Sequence, residues 1–147
     1  MIDWASTFIP SEWFTRGWTL QELIAPPEVW FYGADWTLIG LRSTMAEVIS
    51  AATKIDASVL LVGGHKELDK FSIASRMAWA SYRHTTRPED RAYSLMGLFS
   101  VKMATLYGEG LRAAFFRLQI EICKVSTDQS ILAWYPMGKY GSSYRPM

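Results

Sequence analysis

A chain of 147 residues, 50% of them apolar, is long enough to bury one core of ordinary size, which excludes a disordered polypeptide. A formal net charge of +1 gives no electrostatic case for nucleic acid or for an anionic membrane surface. The single cysteine, Cys123, allows no internal disulfide, and no apolar run approaches the roughly 18 residues of a membrane span, so the expected location is cytoplasmic.

In chain order, Met1 to Pro10 is a short mixed lead-in without the basic-then-apolar layout of a signal peptide. Ser11 is the predicted N-cap of a helix with Glu12 in its positive first turn, and Gly17 predicts a break, because mid-helix glycine costs about 1 kcal/mol. Across residues 16 to 24 the helical period puts Leu20, Leu23 and Ile24 on one face and Trp18, Gln21 and Glu22 on the other, before a stop at Pro26-Pro27. Two readings of that second face stay open. Glu22 is either solvated beside a packed Trp18, the commoner fate of a charge on a polar helix face, or part of a pocket wall with it. Val29 to Tyr32 and Trp36 to Ile39 read as strands of a hairpin joined by Gly33-Ala34-Asp35.

The remainder reads as helical. Thr44 and Glu47 form a predicted capping box before Met45, Val48, Ile49 and Ala52, and Asp56 caps a short helix over 57 to 62 that ends at Gly63-Gly64. His65 to Lys70 is a polar loop with too few ligands for a metal site. Ser72 opens a helix to about Tyr82, on which Arg76, Trp79 and Arg83 fall within about 60 degrees of one another. That stripe suits either an acidic ligand or, as the commoner use of arginine, internal pairing with Glu89 and Asp90. Thr86 and Glu89 make a second predicted capping box, for a helix through about Leu98. Leu106 to Gly110 is a turn with only superficial likeness to a phosphate loop. The helix from Leu111 to Val125 carries one apolar face of Leu111, Ala114, Phe115, Leu118, Ile122 and Val125, and a second lobe of Phe116, Ile120 and Cys123. It is therefore expected to be central and buried, with an inert Cys123 and with Arg117, Glu121 and Lys124 paired along the polar strip. Ser130 to Tyr135 reads as a short edge strand and residues 136–147 as a loose tail. Neither His65 nor His84 has a nucleophile or acid partner in sequence, so triad hydrolysis has no support.

The run S-x-W-F-x-R-G-W-T-L-Q-E-L, Ser11 to Leu23, resembles the closing block of the fungal heterokaryon incompatibility (HET) domain. Downstream, Arg76 to Phe99, L-Y-G-E-G at Leu106 to Gly110, Phe115 to Ile122 and D-Q-S-I-L-A-W at Asp128 to Trp134 resemble the region that follows this domain in vegetative incompatibility proteins. Two earlier blocks of the domain have no counterpart. The expected fold is thus mainly α (α+β), a helical domain with a small β-hairpin, preceded by the last helix and strand of a truncated TIR-like α/β domain. The expected divisions are a HET remnant over 1–40, the helical region over 41–135 and a flexible tail over 136–147.

The resemblance also implies chemistry. HET domains resemble TIR domains, whose W-x-x-x-E-L helix carries the glutamate that cleaves the nicotinamide-ribose bond of NAD, and Trp18, Glu22 and Leu23 match that pattern. It implies Glu22 as the catalytic residue, Trp18, Arg16 and Gln21 as substrate-binding neighbours, NAD as substrate and no metal or resident cofactor. With the other wall of such a site absent, the chain alone is expected to be inactive, in a protein of programmed cell death and innate immunity. The alternative is a non-catalytic scaffold coupling a HET domain to recognition or self-association regions, with protein partners and neither nucleic acid nor membrane among them.

Overall fold

The computed structural model describes residues 8, 10–61 and 64–133. Helix α1 (Thr19–Ile24) leads to strands β1 (Trp30–Tyr32) and β2 (Leu38–Leu41), followed by α2 (Ala46–Thr53), α3 (Ala57–Leu61), α4 (Ile73–Ala80), α5 (Asp90–Tyr93) and α6 (Gly110–Val125). Short 3₁₀ turns occupy Glu12–Thr15, Gly64–Lys66, Leu68–Lys70, Gly97–Phe99 and Gln129–Leu132. The chain is mostly helical with a two-stranded antiparallel hairpin, as the patterning predicts. The lead-in at 1–7, the Gly63 stop, the end of the predicted strand at Tyr135 and the tail lie outside the described residues.

The first helical stretch breaks where glycine predicts it. Ser11 caps the 3₁₀ turn by accepting from the Trp13 amide, and α1 begins only at Thr19. At the break the chain docks sideways: the His84 N–H donates to the Thr15 carbonyl and the Gly17 N–H to the His84 carbonyl, each at 2.7 Å. A Cβ on Gly17 would stand 2.4 Å from Thr85 Cγ2, so only glycine admits that approach. Beyond the break, Leu20, Leu23 and Ile24 are buried as their spacing requires.

The hairpin departs from its expected form at the tip. Trp30 pairs with Leu41, Phe31 with Gly40 and Tyr32 with Leu38, with an irregularity between Phe31 and Tyr32. The connection runs from Gly33 to Thr37, because the Asp35 carboxylate captures both the amide and the hydroxyl of Thr37. Trp36, expected to start a strand, instead takes a left-handed φ of 63° and is 82% exposed.

Neither predicted capping box forms. The Thr44 hydroxyl turns back to Leu41, accepting from its amide and donating to its carbonyl, and α2 starts at Ala46 without a side-chain cap. Glu89 is occupied elsewhere: its Oε1 accepts from the amides of Gly108 and Gly110 at 2.9 and 3.1 Å. The helix expected through Leu98 consequently covers only Asp90–Tyr93, then tightens into turns. Gly108 and Gly110 sit at φ of 100° and 82°, where side chains are strained, and the backbone there grips an anion belonging to the protein itself. This gives the L-Y-G-E-G stretch its physical sense. A carboxylate is placed at the N-terminus of the longest helix, where the macrodipole favours it. Beside it, Glu109 accepts from the Tyr93 hydroxyl and from Arg117, both at 2.5 Å.

Capping succeeds where it is local. Asp56 accepts from the Ser58 amide, and Ser72 caps α4 through the Ser75 amide. The expected edge strand after Ser130 is a 3₁₀ turn, because Asp128 and Ser130 serve α4 instead: Asp128 accepts from the Ile73 amide at 2.8 Å and Ser130 from the Ala74 amide at 3.1 Å. The polar loop from His65 to Lys70 is two 3₁₀ turns that bury Leu68.

The long helix corrects the largest expectation. Ala114, Phe115, Leu118 and Ile122 are buried, yet Phe116 is 62% exposed, Ile120 40% and Val125 66%, and Cys123 is exposed rather than buried. Only one side of α6 meets the core. Its charges pair as expected within the strip, Lys124 with Glu121 at 2.7 Å, while Arg117 reaches Glu109 and the Ala104 carbonyl.

Candidate functional site

Two arginines hold the first segment onto the helical part, and the sequence reading missed one of them. Arg42, following β2, is fully buried. Its guanidinium donates to the carbonyls of Leu60, Leu23, Pro26 and Pro27 at 2.6 to 3.1 Å, more weakly to Ile24, and lies 3.8 Å from Glu28. It satisfies the C-terminal carbonyls of α1 that Pro26 and Pro27, lacking N–H groups, leave open. Burial lowers its pKa, and Glu28 opposes that shift. Arg83, 3% exposed, donates to the Arg16 carbonyl and the Thr19 hydroxyl at 2.9 Å, and burial lowers its pKa to about 10, so it stays charged at neutral pH.

The expected pairing of Arg76 and Arg83 with Glu89 and Asp90 is not what forms. Arg76 donates to the Leu98 carbonyl and covers the Phe99 ring at 5.0 Å, while Trp79 is buried against Phe71. Backbone carbonyls left open at the ends of short elements compete successfully for both guanidiniums. The stripe is architectural.

The concave feature that receives Glu22 is an open groove of about 1000 Å³ between α1, the first 3₁₀ turn and the hairpin. Trp13, Phe14, Trp30, Phe31 and Tyr32 supply aromatic walls, and Glu22, Glu28 and Asp35 are the carboxylates among its described lining residues. Their states differ. Glu28 accepts from the Ser43 hydroxyl and from the Val29 and Ser43 amides, which hold its pKa below the ordinary value although burial opposes them. Asp35 is likewise held low by Thr37. Glu22 is exposed, and while its amide donates to the Trp18 carbonyl, its carboxylate makes no hydrogen bond or ion pair with any described residue.

The other residues implied by the resemblance lie apart from the groove. Trp18, although one turn before Glu22, is 39% exposed and does not line it. Gln21 donates to the Ser94 carbonyl and packs on Gly97, where a Cβ would stand 2.6 Å from its Oε1. Arg16 uses its backbone, bridging to His84 and accepting from Arg83 and Thr19. Among the described residues that line the groove there is no lysine or arginine, so they do not by themselves fit the pyrophosphate of a dinucleotide. Among the described residues no group of three or more His, Cys, Asp or Glu is placed to hold a metal ion, and no helix is long and apolar enough to cross a membrane. The aromatic wall and Arg42 are the features that sequence reasoning passed over. The density of aromatics from Trp13 to Trp36 was the available signal for the first, and the lone arginine after an apolar strand for the second.

No protein-family model and no solved structure matches the chain. It is 45% identical over 122 residues to the vegetative incompatibility protein HET-E-1 of Podospora anserina, an alignment that covers 83% of this chain and 9% of that protein. The arginine-tied hairpin and helices described above are thus those of a chain that belongs to the fungal vegetative, or heterokaryon, incompatibility proteins.

Proposed function

We propose that the chain acts in the cytoplasmic cell-death response of heterokaryon incompatibility, and that Glu22 is the carboxylate of a TIR-like NAD-cleaving site that the chain alone does not complete. The observation that carries this reading is the state of Glu22, whose carboxylate, alone among the three in the described lining of the groove, is unbonded to any described residue. Breaking an N-glycosidic bond builds positive charge on the ribose, and a fixed carboxylate stabilises it. The described lining offers no cation for the phosphates, so those contacts come from groups outside it. Measurement of NAD loss tests this with the purified 147-residue chain, a longer incompatibility protein containing it and the Glu22→Gln form of that protein. The expected result is turnover by the longer protein only, abolished by Glu22→Gln. Turnover by the short chain refutes its inactivity, and full turnover by Glu22→Gln removes Glu22 from catalysis.

A second reading, a non-catalytic scaffold coupling other regions, is favoured by the use made of polar side chains. Gln21, Arg42 and Arg83 are all spent on joining the first segment to the helices. Incompatibility signalling that persists in the Glu22→Gln protein is the outcome this reading expects.

A further inference from the structure

We propose that the outer face of α6 is a docking surface for an amphipathic helix with acidic flanks, supplied by a protein partner. Ala113, Phe116, Ile120 and Cys123 recur at alternating spacings of three, four and three along this helix, the seam spacing of a coiled coil. At 100° per residue they fall opposite the inner face of Ala114, Phe115, Leu118 and Ile122. All four outer residues are exposed, with Phe116 at 62% and Ile120 at 40%. A helix apolar on both sides belongs between two layers, and the described residues furnish one.

Charge selects the occupant. Arg112 borders the seam on one side, and Arg117 and Lys124 border it on the other. Arg112 is exposed and has no ion-pair partner among the described residues, and Lys124 is held only by an exposed pair with Glu121, a weak bond. Arg117 is already engaged by Glu109. A second copy laid antiparallel about Ile120 would set Arg117 against Lys124, and a parallel copy would set Arg112 against Arg117, like charges in both cases. A helix with glutamates beside its apolar seam meets the same border with opposite charge.

Cys123 reports occupancy directly, being the one cysteine of the chain and exposed within the seam. The test uses the full chain and two synthetic helical peptides of about three heptads with leucine and isoleucine seams, one flanked by glutamate and one by lysine. The glutamate peptide is expected to bind about tenfold more tightly than the lysine peptide, with the ratio falling as salt rises, and to slow Cys123 alkylation to the same order. Phe116→Glu should abolish both effects with an unchanged circular dichroism spectrum, and Phe116→Leu should retain them. Equal binding of the two peptides, protection by neither, or concentration-dependent protection of Cys123 without peptide, which marks a second copy as the occupant, each overturns the proposal.

Discussion

The hairpin and helix α6 both present apolar side chains to solvent, but they are tied to the molecule by opposite means. A two-stranded hairpin is marginal by itself in water, and this one leaves Trp30, Tyr32 and Trp36 exposed. Its attachment is polar at the base, through the buried guanidinium of Arg42, and aromatic on one face, where Phe31 meets Trp13 and Phe14 at 5.8 and 6.1 Å. Helix α6 is held by an apolar inner face and by the Glu89 carboxylate at its first amide. Exposed Trp30 and Tyr32 of the hairpin therefore line a groove beside an anchored base, whereas exposed apolar residues on α6 form a seam on a helix already secured from behind. The same composition makes two different surfaces.

The largest effect should come from removing the hairpin's anchor. Arg42→Ala leaves the carbonyls of buried Leu23 and Leu60, and those of Pro26 and Pro27, without their donor, and is expected to destabilise the chain by about 3–5 kcal/mol in urea denaturation. A loss under about 1 kcal/mol would mean the aromatic contacts alone hold the hairpin. An intermediate effect addresses α6. The Glu89 amide, together with those of Gly108 and Gly110, holds the Glu89 pKa below its ordinary value of 4.5. A depressed carboxylate contributes stability that is fully present above that value and lost as pH falls through the folded pKa. Glu89→Gln should therefore lower Tm at neutral pH, and the gap from the unsubstituted chain should close as pH is taken below 4.5. A gap independent of pH would make the contact geometric rather than electrostatic. The smallest effect belongs to the hairpin tip, where Trp36→Ser, at an 82% exposed position, should shift stability by no more than about 0.5 kcal/mol. A larger loss would show the tip contributing to the fold.

How much of this was legible beforehand depends on the range of the interaction. The break at Gly17, the Ser11, Asp56 and Ser72 caps, the existence of a hairpin and the extent of the long helix follow from residues within a turn or two of one another, although the second strand begins at Leu38 rather than Trp36. Two of the failures share one cause, a partner distant in sequence, whereas Thr44 and Asp35 were diverted by neighbours two or three residues away. Glu89 fits a capping box by spacing, but two glycine amides some twenty positions later reach it; Asp128 and Ser130 read as the approach to a strand, but they cap α4. At the candidate site, the position of Glu22 on the polar side of its helix was legible. The diversion of Gln21 to Ser94 and of the Arg16 carbonyl to Arg83 was not.

The sequence by itself determined the class of the fold, the local starts and stops of its elements and, through motifs spread from Ser11 to Trp134, the kinship with incompatibility proteins. Periodicity and capping act over a few residues, so they are written in the chain. Only the tertiary structure decided which carbonyls each arginine serves, which carboxylate stays unbonded in the groove and that α6 is covered on one side. Those outcomes depend on which polar groups the packing of short elements leaves open, and a buried group takes whichever partner geometry brings within reach.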